Sequence, residues 1–176
     1  MRGKILSALT VPAAIASLLA GSAAGAGVAA AATVVALGAS QTYGKGVARG
    51  EDYPSQLQAM LRAQGYSVRF ANAGVNGDTT TGMRARLAGA LTSDTVLVIL
   101  QPGGNDRRKG VSEAETSANI AAIKATLAAR NIPVVMVPNQ MFAHFPRQAD
   151  GQHLTAEGYR GLAAQLVSQV APYLKK

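Results

Sequence analysis

Cysteine is missing from all 176 residues. That absence excludes disulfides, cysteine nucleophiles, thiolate metal sites and a lipid-modified N-terminal cysteine, while leaving the redox compartment open. Tryptophan is missing too, and histidine occurs only as His144 and His153, so chemistry that needs an imidazole has two candidates. Acidic residues are few, 9 against 17 lysines and arginines, and all 9 follow Lys45. The basic residues are scattered except at Arg107-Arg108-Lys109. With no basic helix face interleaved with aromatics and no zinc pattern, nucleic-acid binding is not expected. What remains, 48% hydrophobic and 15% charged residues, fits one ordinary globular domain.

The N-terminus reads as a targeting segment. Arg2 and Lys4 precede an apolar run from Ile5 to Ala20, interrupted by Pro12 and followed by small residues through Ala26. This is a signal-peptide layout, with Ala24-Gly25-Ala26 as the best cleavage candidate. Pro, Gly, Ser and many Ala make a weak permanent span, so no stable membrane span is expected after processing. The expectation is a signal peptide at 1–26, a single domain at 27–176, and export to a periplasm or beyond.

Along the domain, apolar β-branched runs alternate with helical patterns. Ala31 to Leu37 reads as a strand buried on both faces, with Ser40 just past its C-terminal end. Pro54, Leu57, Met60 and Leu61 mark a helix that Gly65 can stop in a left-handed conformation. Tyr66 to Ala71 reads as a second strand, followed by a turn-rich loop from Asn72 to Asp78. A helix beginning near Thr80 or Thr81 shows Met83, Leu87 and Leu91 on its apolar face. Thr95 to Leu100 is the clearest strand, and Gln101 to Asp106 is the loop at its end. Ser112 and Glu115 form a capping-box pattern ahead of a helix whose buried stripe is Ile120, Ile123 and Leu127. Asn131 is a plausible cap, Ile132 to Val137 a fourth strand, and Tyr159, Leu162, Leu166, Val170 and Tyr173 one face of a final helix. Such alternation implies a parallel sheet covered on both faces, with function gathered at the C-terminal ends of the strands.

Four loops converge on that rim, and their residues suit nucleophilic acyl transfer. A serine hydroxyl needs a base, the base needs a third group to fix its tautomer, and the oxyanion needs donors. Ser40 would attack, His153 would carry the proton, and Asp150 would hold the imidazole. Backbone N–H groups of Ser40 and Gly74 with the Asn105 amide would form the oxyanion hole. His144, with no carboxylate near it in sequence, reads as a packed or substrate-wall residue rather than the base. Arg107 and Arg108 are candidates for attracting anionic substrates, and Asp78 and Asp106 for holding loop N–H groups. A phosphate-cradling loop at Gly38 to Gly46 is rejected because five residues, not four, separate Gly38 from Gly44 and Gly46 follows Lys45. The nucleophile elbow of α/β-hydrolases fails too, because Thr42 stands where its second glycine belongs.

Gly38-Ala39-Ser40, Gly74 before Asn76-Gly77-Asp78, Gly103-Gly104-Asn105-Asp106 and Asp150-Gly151-Gln152-His153 resemble, in order, the four blocks of the SGNH (GDSL-type) hydrolases. The resemblance runs from about Thr33 to the C-terminus and is strongest to the small bacterial arylesterase and acyl-CoA thioesterase I group, through Gly77-Asp78-Thr79 and Gly103 to Asp106. It implies a three-layer α/β/α, flavodoxin-like fold and a serine esterase acting on small acyl esters or thioesters, with no metal and no cofactor; it fixes no oligomeric state. Two departures stand out. Ala39 replaces the acidic residue of the first block, which predicts a less firmly anchored nucleophile loop. Only eleven residues lie between Pro138 and Asp150, whereas a parallel crossover needs about a dozen or more, which predicts four strands in the order 2-1-3-4 and a more open acyl site. The departures also suggest an alternative, a weak or inactive scaffold that binds acylated glycans or lipids. An acyltransferase would use the same triad.

Overall fold

The computed structural model describes residues 31–176; the signal segment expected at 1–26 lies outside them. Four parallel strands, β1 (Ala32–Gly38), β2 (Val68–Gly74), β3 (Thr95–Gln101) and β4 (Val134–Met136), form one sheet in the order β2-β1-β3-β4. Five α-helices connect and follow them: α1 (Ser40–Tyr43), α2 (Tyr53–Ala63), α3 (Thr80–Ala90), α4 (Glu113–Ala128) and α5 (Ala156–Val170). The architecture is the expected α/β/α sandwich with a four-stranded sheet.

Alternation along the central strands divides the core. Val34, Leu97 and Ile99 face Tyr53, Leu57 and Leu61 of α2 and Tyr159, Leu162 and Leu166 of α5. Val35, Leu37, Val98 and Leu100 face Met83 and Leu87 of α3 and Ile123 and Leu127 of α4. Successive strand residues point to opposite faces, so a continuous apolar run is what a sheet covered on both sides demands.

Each of α2 to α5 starts on a side-chain cap, among them the expected Ser112. The side chains of Asp52, Thr79, Ser112 and Thr155 each accept a first-turn N–H, contacts worth about 1 kcal/mol apiece. Gly65 has φ +89°, and Asn131 ends α4 at φ +55°.

Several elements differ from expectation for identifiable reasons. β2 starts two residues late and runs through Gly74, because β1 offers it parallel partners from Ala32 to Gly38. β4 is only three residues long, since Pro133 brings no N–H and Pro138 follows shortly after. The buried stripe of α4 is Asn119, Ile123 and Leu127, with Ile120 only half-buried; the Asn119 amide bonds Thr80 and Thr81 and so ties α4 to α3. Only half of the capping box forms: Ser112 accepts from Glu115 N–H, but the Glu115 carboxylate takes the Thr81 hydroxyl instead. Tyr173 leaves the α5 face and is 44% exposed, because Pro172 turns the chain into a short 3₁₀ helix.

Two close approaches fix where the rim begins. The single turn of α1 lies so near the strand ends that a Cβ on Gly38 would stand 2.1 Å from Thr42 Oγ1, and one on Gly74 would stand 2.2 Å from Tyr43 N and 2.6 Å from its Cα. Backbone cannot yield as a side chain can. Gly74→Ala is therefore expected to destabilise the fold by about 3 kcal/mol, measurable as a lowered urea midpoint at unchanged m-value.

Candidate active site

The chain passes from β1 directly into α1, with Ser40 as its first residue. From 113 positions away, His153 Nε2 stands 2.9 Å from Ser40 Oγ. Its Nδ1 is 2.5 Å from Asp150 Oδ2. An imidazole that gives its Nδ1 hydrogen to the carboxylate presents Nε2 as the acceptor for the serine hydroxyl.

The histidine loop is built to hold that geometry. Asp150 Oδ1 accepts the N–H groups of Gln152 and His153, both at 2.9 Å, across a turn in which Gly151 takes φ +67°. The His153 ring hydrogen bond, followed by these two N–H groups, holds the Asp150 carboxyl well below the usual carboxylate range. Gln148 bonds backbone on both flanks, at Leu154 O and Lys45 O. Gln41, the residue after the serine, donates to Gln152 O at 2.7 Å. The short tether from β4 thus leaves the loop well held without a fifth strand.

The nucleophile loop is anchored too, contrary to what Ala39 suggested. Gln101, at the end of β3 and 2% exposed, accepts the Ala39 N–H at 3.1 Å and the Thr42 hydroxyl at 3.4 Å, and donates to Asn139 Oδ1 at 3.3 Å. A neighbouring strand supplies the acceptor that Ala39 lacks. Thr42 also meets the hydroxyl of Tyr53, whose ionisation burial pushes far up. Gln101→Ala would leave the Ala39 N–H buried without an acceptor. The expected cost is about 2 kcal/mol, with kcat falling more than KM rises, which urea unfolding and steady-state kinetics read separately.

Of the expected oxyanion donors, two, Ser40 and Asn105, line one cavity with His153. Ser40 N–H, in the first turn of α1, has no acceptor among the described residues. Asn105 is 5% exposed; its Nδ2 donates one hydrogen to Asp78 O at 2.8 Å, and its Oδ1 accepts from Arg108 Nη2. Gly74 is not brought in. Its N–H is bonded to Asn72 Oδ1 at 2.9 Å, and it lines a separate cavity with Tyr43 and Asp52. The reason is register: Gly74 is still the last paired residue of β2 and sits beneath α1, whereas the part of this loop that meets Asn105 is Asp78. The Asp78 and Asp106 carboxylates serve the scaffold. Asp78 accepts from Thr79 N–H and Arg86, and Asp106 from Thr80 and Thr116.

Ser40, His153 and Asn105 line a cavity of about 380 Å³ together with Phe142, Arg108 and Arg147. Arg107 is not among its walls. The 3₁₀ turn from Arg107 to Lys109 separates successive side chains by about 120°, and Arg107 borders a neighbouring cavity with Val111 instead. His144 is exposed and off the cavity. Sequence reasoning missed Gln101, Asn139, Arg147 and Gln152. Only Gln101 carried a signal, as the polar residue closing an apolar strand.

Fold and rim together define an α/β/α hydrolase scaffold of the SGNH type. The chain belongs to the GDSL-like lipase/acylhydrolase family, whose model matches residues 36–174. Esterase TesA of Pseudomonas aeruginosa is 29% identical over 147 residues, which cover 82% of this chain and 72% of that protein. The crystal structure of AlinE4, an SGNH-hydrolase family esterase, matches 79% of this chain and 71% of its own with 28% identity and a TM-score of 0.57. A crystal structure of TesA matches 80% of this chain and 97% of its own with a TM-score of 0.66; at 23% identity it speaks for the fold alone. No helix among the described residues is long and apolar enough to cross a membrane.

Proposed function

We propose that this protein is an exported serine esterase or thioesterase that hydrolyses short-chain carboxylic esters through an acyl-enzyme. The observation that carries the reading is the relay from Ser40 Oγ through the His153 ring to Asp150, at 2.9 and 2.5 Å. Ser40 Oγ attacks the ester carbon while Nε2 takes its proton. The carbonyl oxygen becomes an oxyanion facing Ser40 N–H and the free hydrogen of Asn105 Nδ2, whose amide is polarised by Arg108 on Oδ1. Collapse expels the alcohol or thiol, which receives the proton from the imidazolium. Water then repeats the cycle on the acyl-enzyme, with His153 again as base.

Firm anchoring of both loops supports turnover over a scaffold that only binds. Export rests on the N-terminal layout, with residues 1–26 as signal peptide and 27–176 as the single domain. The wild type is expected to hydrolyse p-nitrophenyl acetate, and Asn105→Ala to lower kcat by roughly 10²- to 10³-fold. Absence of turnover in a folded wild type, across acetyl to hexanoyl esters and thioesters, would remove the proposal.

A further inference from the structure

We infer that the ester hydrolysed here carries an anionic group, a carboxylate or a phosphate, on its alcohol or thiol half, held by Arg108 and Arg147. The inference rests on the esterase reading above. Both arginines line the cavity that contains Ser40 and His153, and no aspartate or glutamate lines it.

Each guanidinium is tethered by neutral oxygens only. Arg108 donates to Asn105 Oδ1 and, at 3.3 Å, to Gln152 Oε1. Arg147 donates to Gln152 O at 2.7 Å and to Phe142 O at 3.0 Å. Neither forms an ion pair among the described residues, where the salt bridges are Arg69 to Asp94, Arg86 to Asp78, and His153 to Asp150. Along the chain Asp150 is the acidic residue nearest Arg147 and Asp106 the one nearest Arg108; the Asp150 oxygens already take the His153 ring and two backbone N–H groups, and Asp106 is buried with its Oδ1 on Thr80 and Thr116. Two cations are thus fixed on one residue, Gln152, with no ion-pair partner among the described residues.

A guanidinium has five N–H donors in a planar fork that matches carboxylate and phosphate oxygens. Two of the five are used on each arginine, and the remainder suit an incoming anion. The place of the pair identifies which half of the ester carries the charge. Gln152 immediately precedes His153, and the imidazolium returns its proton to the leaving oxygen, so the arginines flank the leaving-group side. The uncharged part of the lining includes Gln101, Gly103, Gly104 and Asn139, with Phe142 its one large apolar residue. That part suits a short acyl group, and the charged rim takes the rest of the molecule.

The test compares para-acetoxybenzoate with its neutral amide, para-acetoxybenzamide, and adds para-acetoxyphenyl phosphate as a second anionic arm. At low ionic strength the wild type is expected to favour an anionic ester over the amide by roughly tenfold or more in kcat/KM, mainly through KM, and the ratio should fall as salt is added. The larger of the two anionic ratios identifies the carboxylate or the phosphate as the preferred group. In the double variant Arg108→Gln, Arg147→Gln the ratio should approach one, while Arg130→Gln, in the exposed turn after α4, leaves it as in wild type. Should the double variant fold poorly, Arg147→Gln alone should lower the ratio severalfold. Ser40-dependent turnover with a ratio near one, or a ratio that both arginine variants leave intact, overturns the inference alone. Turnover that survives Ser40→Ala overturns the esterase reading and the inference with it.

Discussion

Replacing Ser40 by alanine is expected to lower kcat for p-nitrophenyl acetate by roughly 10⁴- to 10⁶-fold. An imidazole and an oxyanion hole without a nucleophile retain only what water attack on the bound ester can give. The loss should come without unfolding. Ser40 Oγ has His153 Nε2 as its partner, the residue is not completely buried, and the N-cap of α1 is Ala39 rather than Ser40. The urea midpoint should therefore shift by no more than about 0.5 kcal/mol equivalent. A variant inactive because it is misfolded would show a collapsed midpoint, so the two measurements together separate chemistry from stability.

Asp150→Asn is the second large effect, and its size follows from how the two carboxylate oxygens are used. Oδ1 accepts two backbone N–H groups, and Oδ2 takes the His153 ring. Asparagine has one oxygen. Left on the backbone donors, that oxygen turns the NH₂ toward Nδ1, which forces the hydrogen onto Nε2. Such an imidazole cannot accept the Ser40 proton, and kcat should fall roughly 10⁴-fold with the loop still closed. The same carboxylate has a pH signature. Its folded-state affinity for protons is depressed below the ordinary value of 3.8, so the unfolded chain takes up the proton first as pH falls. The stability it contributes is complete above that ordinary value and is lost as pH drops toward the depressed one. Wild type should lose this part of its stability in acid, whereas Asp150→Asn should not, which urea titrations from neutral pH down to the acid limit will report.

Much of the molecule is legible in the chain because its central elements leave little choice. β1 and β3 are uninterrupted apolar runs, which only a sheet covered on both sides can bury. Pro54 marks the first turn of α2 and Ser112 the cap of α4, and Asp150 and His153 are three residues apart on a turn that needs Gly151. What escaped the sequence depends on tertiary partners. α1 is one turn long and has no periodicity to detect. Gly74 looks like a loop donor until the pairing of β2 with β1 is known, and that pairing keeps it in the sheet. Gln101 compensates for Ala39 from another strand, 62 positions away, so the local pattern shows only a missing acid. Arg147 reaches the cavity through backbone carbonyls that any residue could provide, and it therefore leaves no trace in spacing. Tyr173 fell off its predicted face because a helical stripe says nothing of where Pro172 ends the helix.

In the proposed reaction Ser40 becomes covalently acylated with His153 as its base. A fluorophosphonate, which reports an activated serine by forming a stable phosphonate ester on its oxygen with loss of fluoride, is the probe for this step. One adduct per chain is expected, located by peptide mass spectrometry on the segment containing Ser40, absent from Ser40→Ala and formed far more slowly in His153→Ala. An active enzyme that takes no label, or a label that maps to another residue and persists in Ser40→Ala, would contradict the claim.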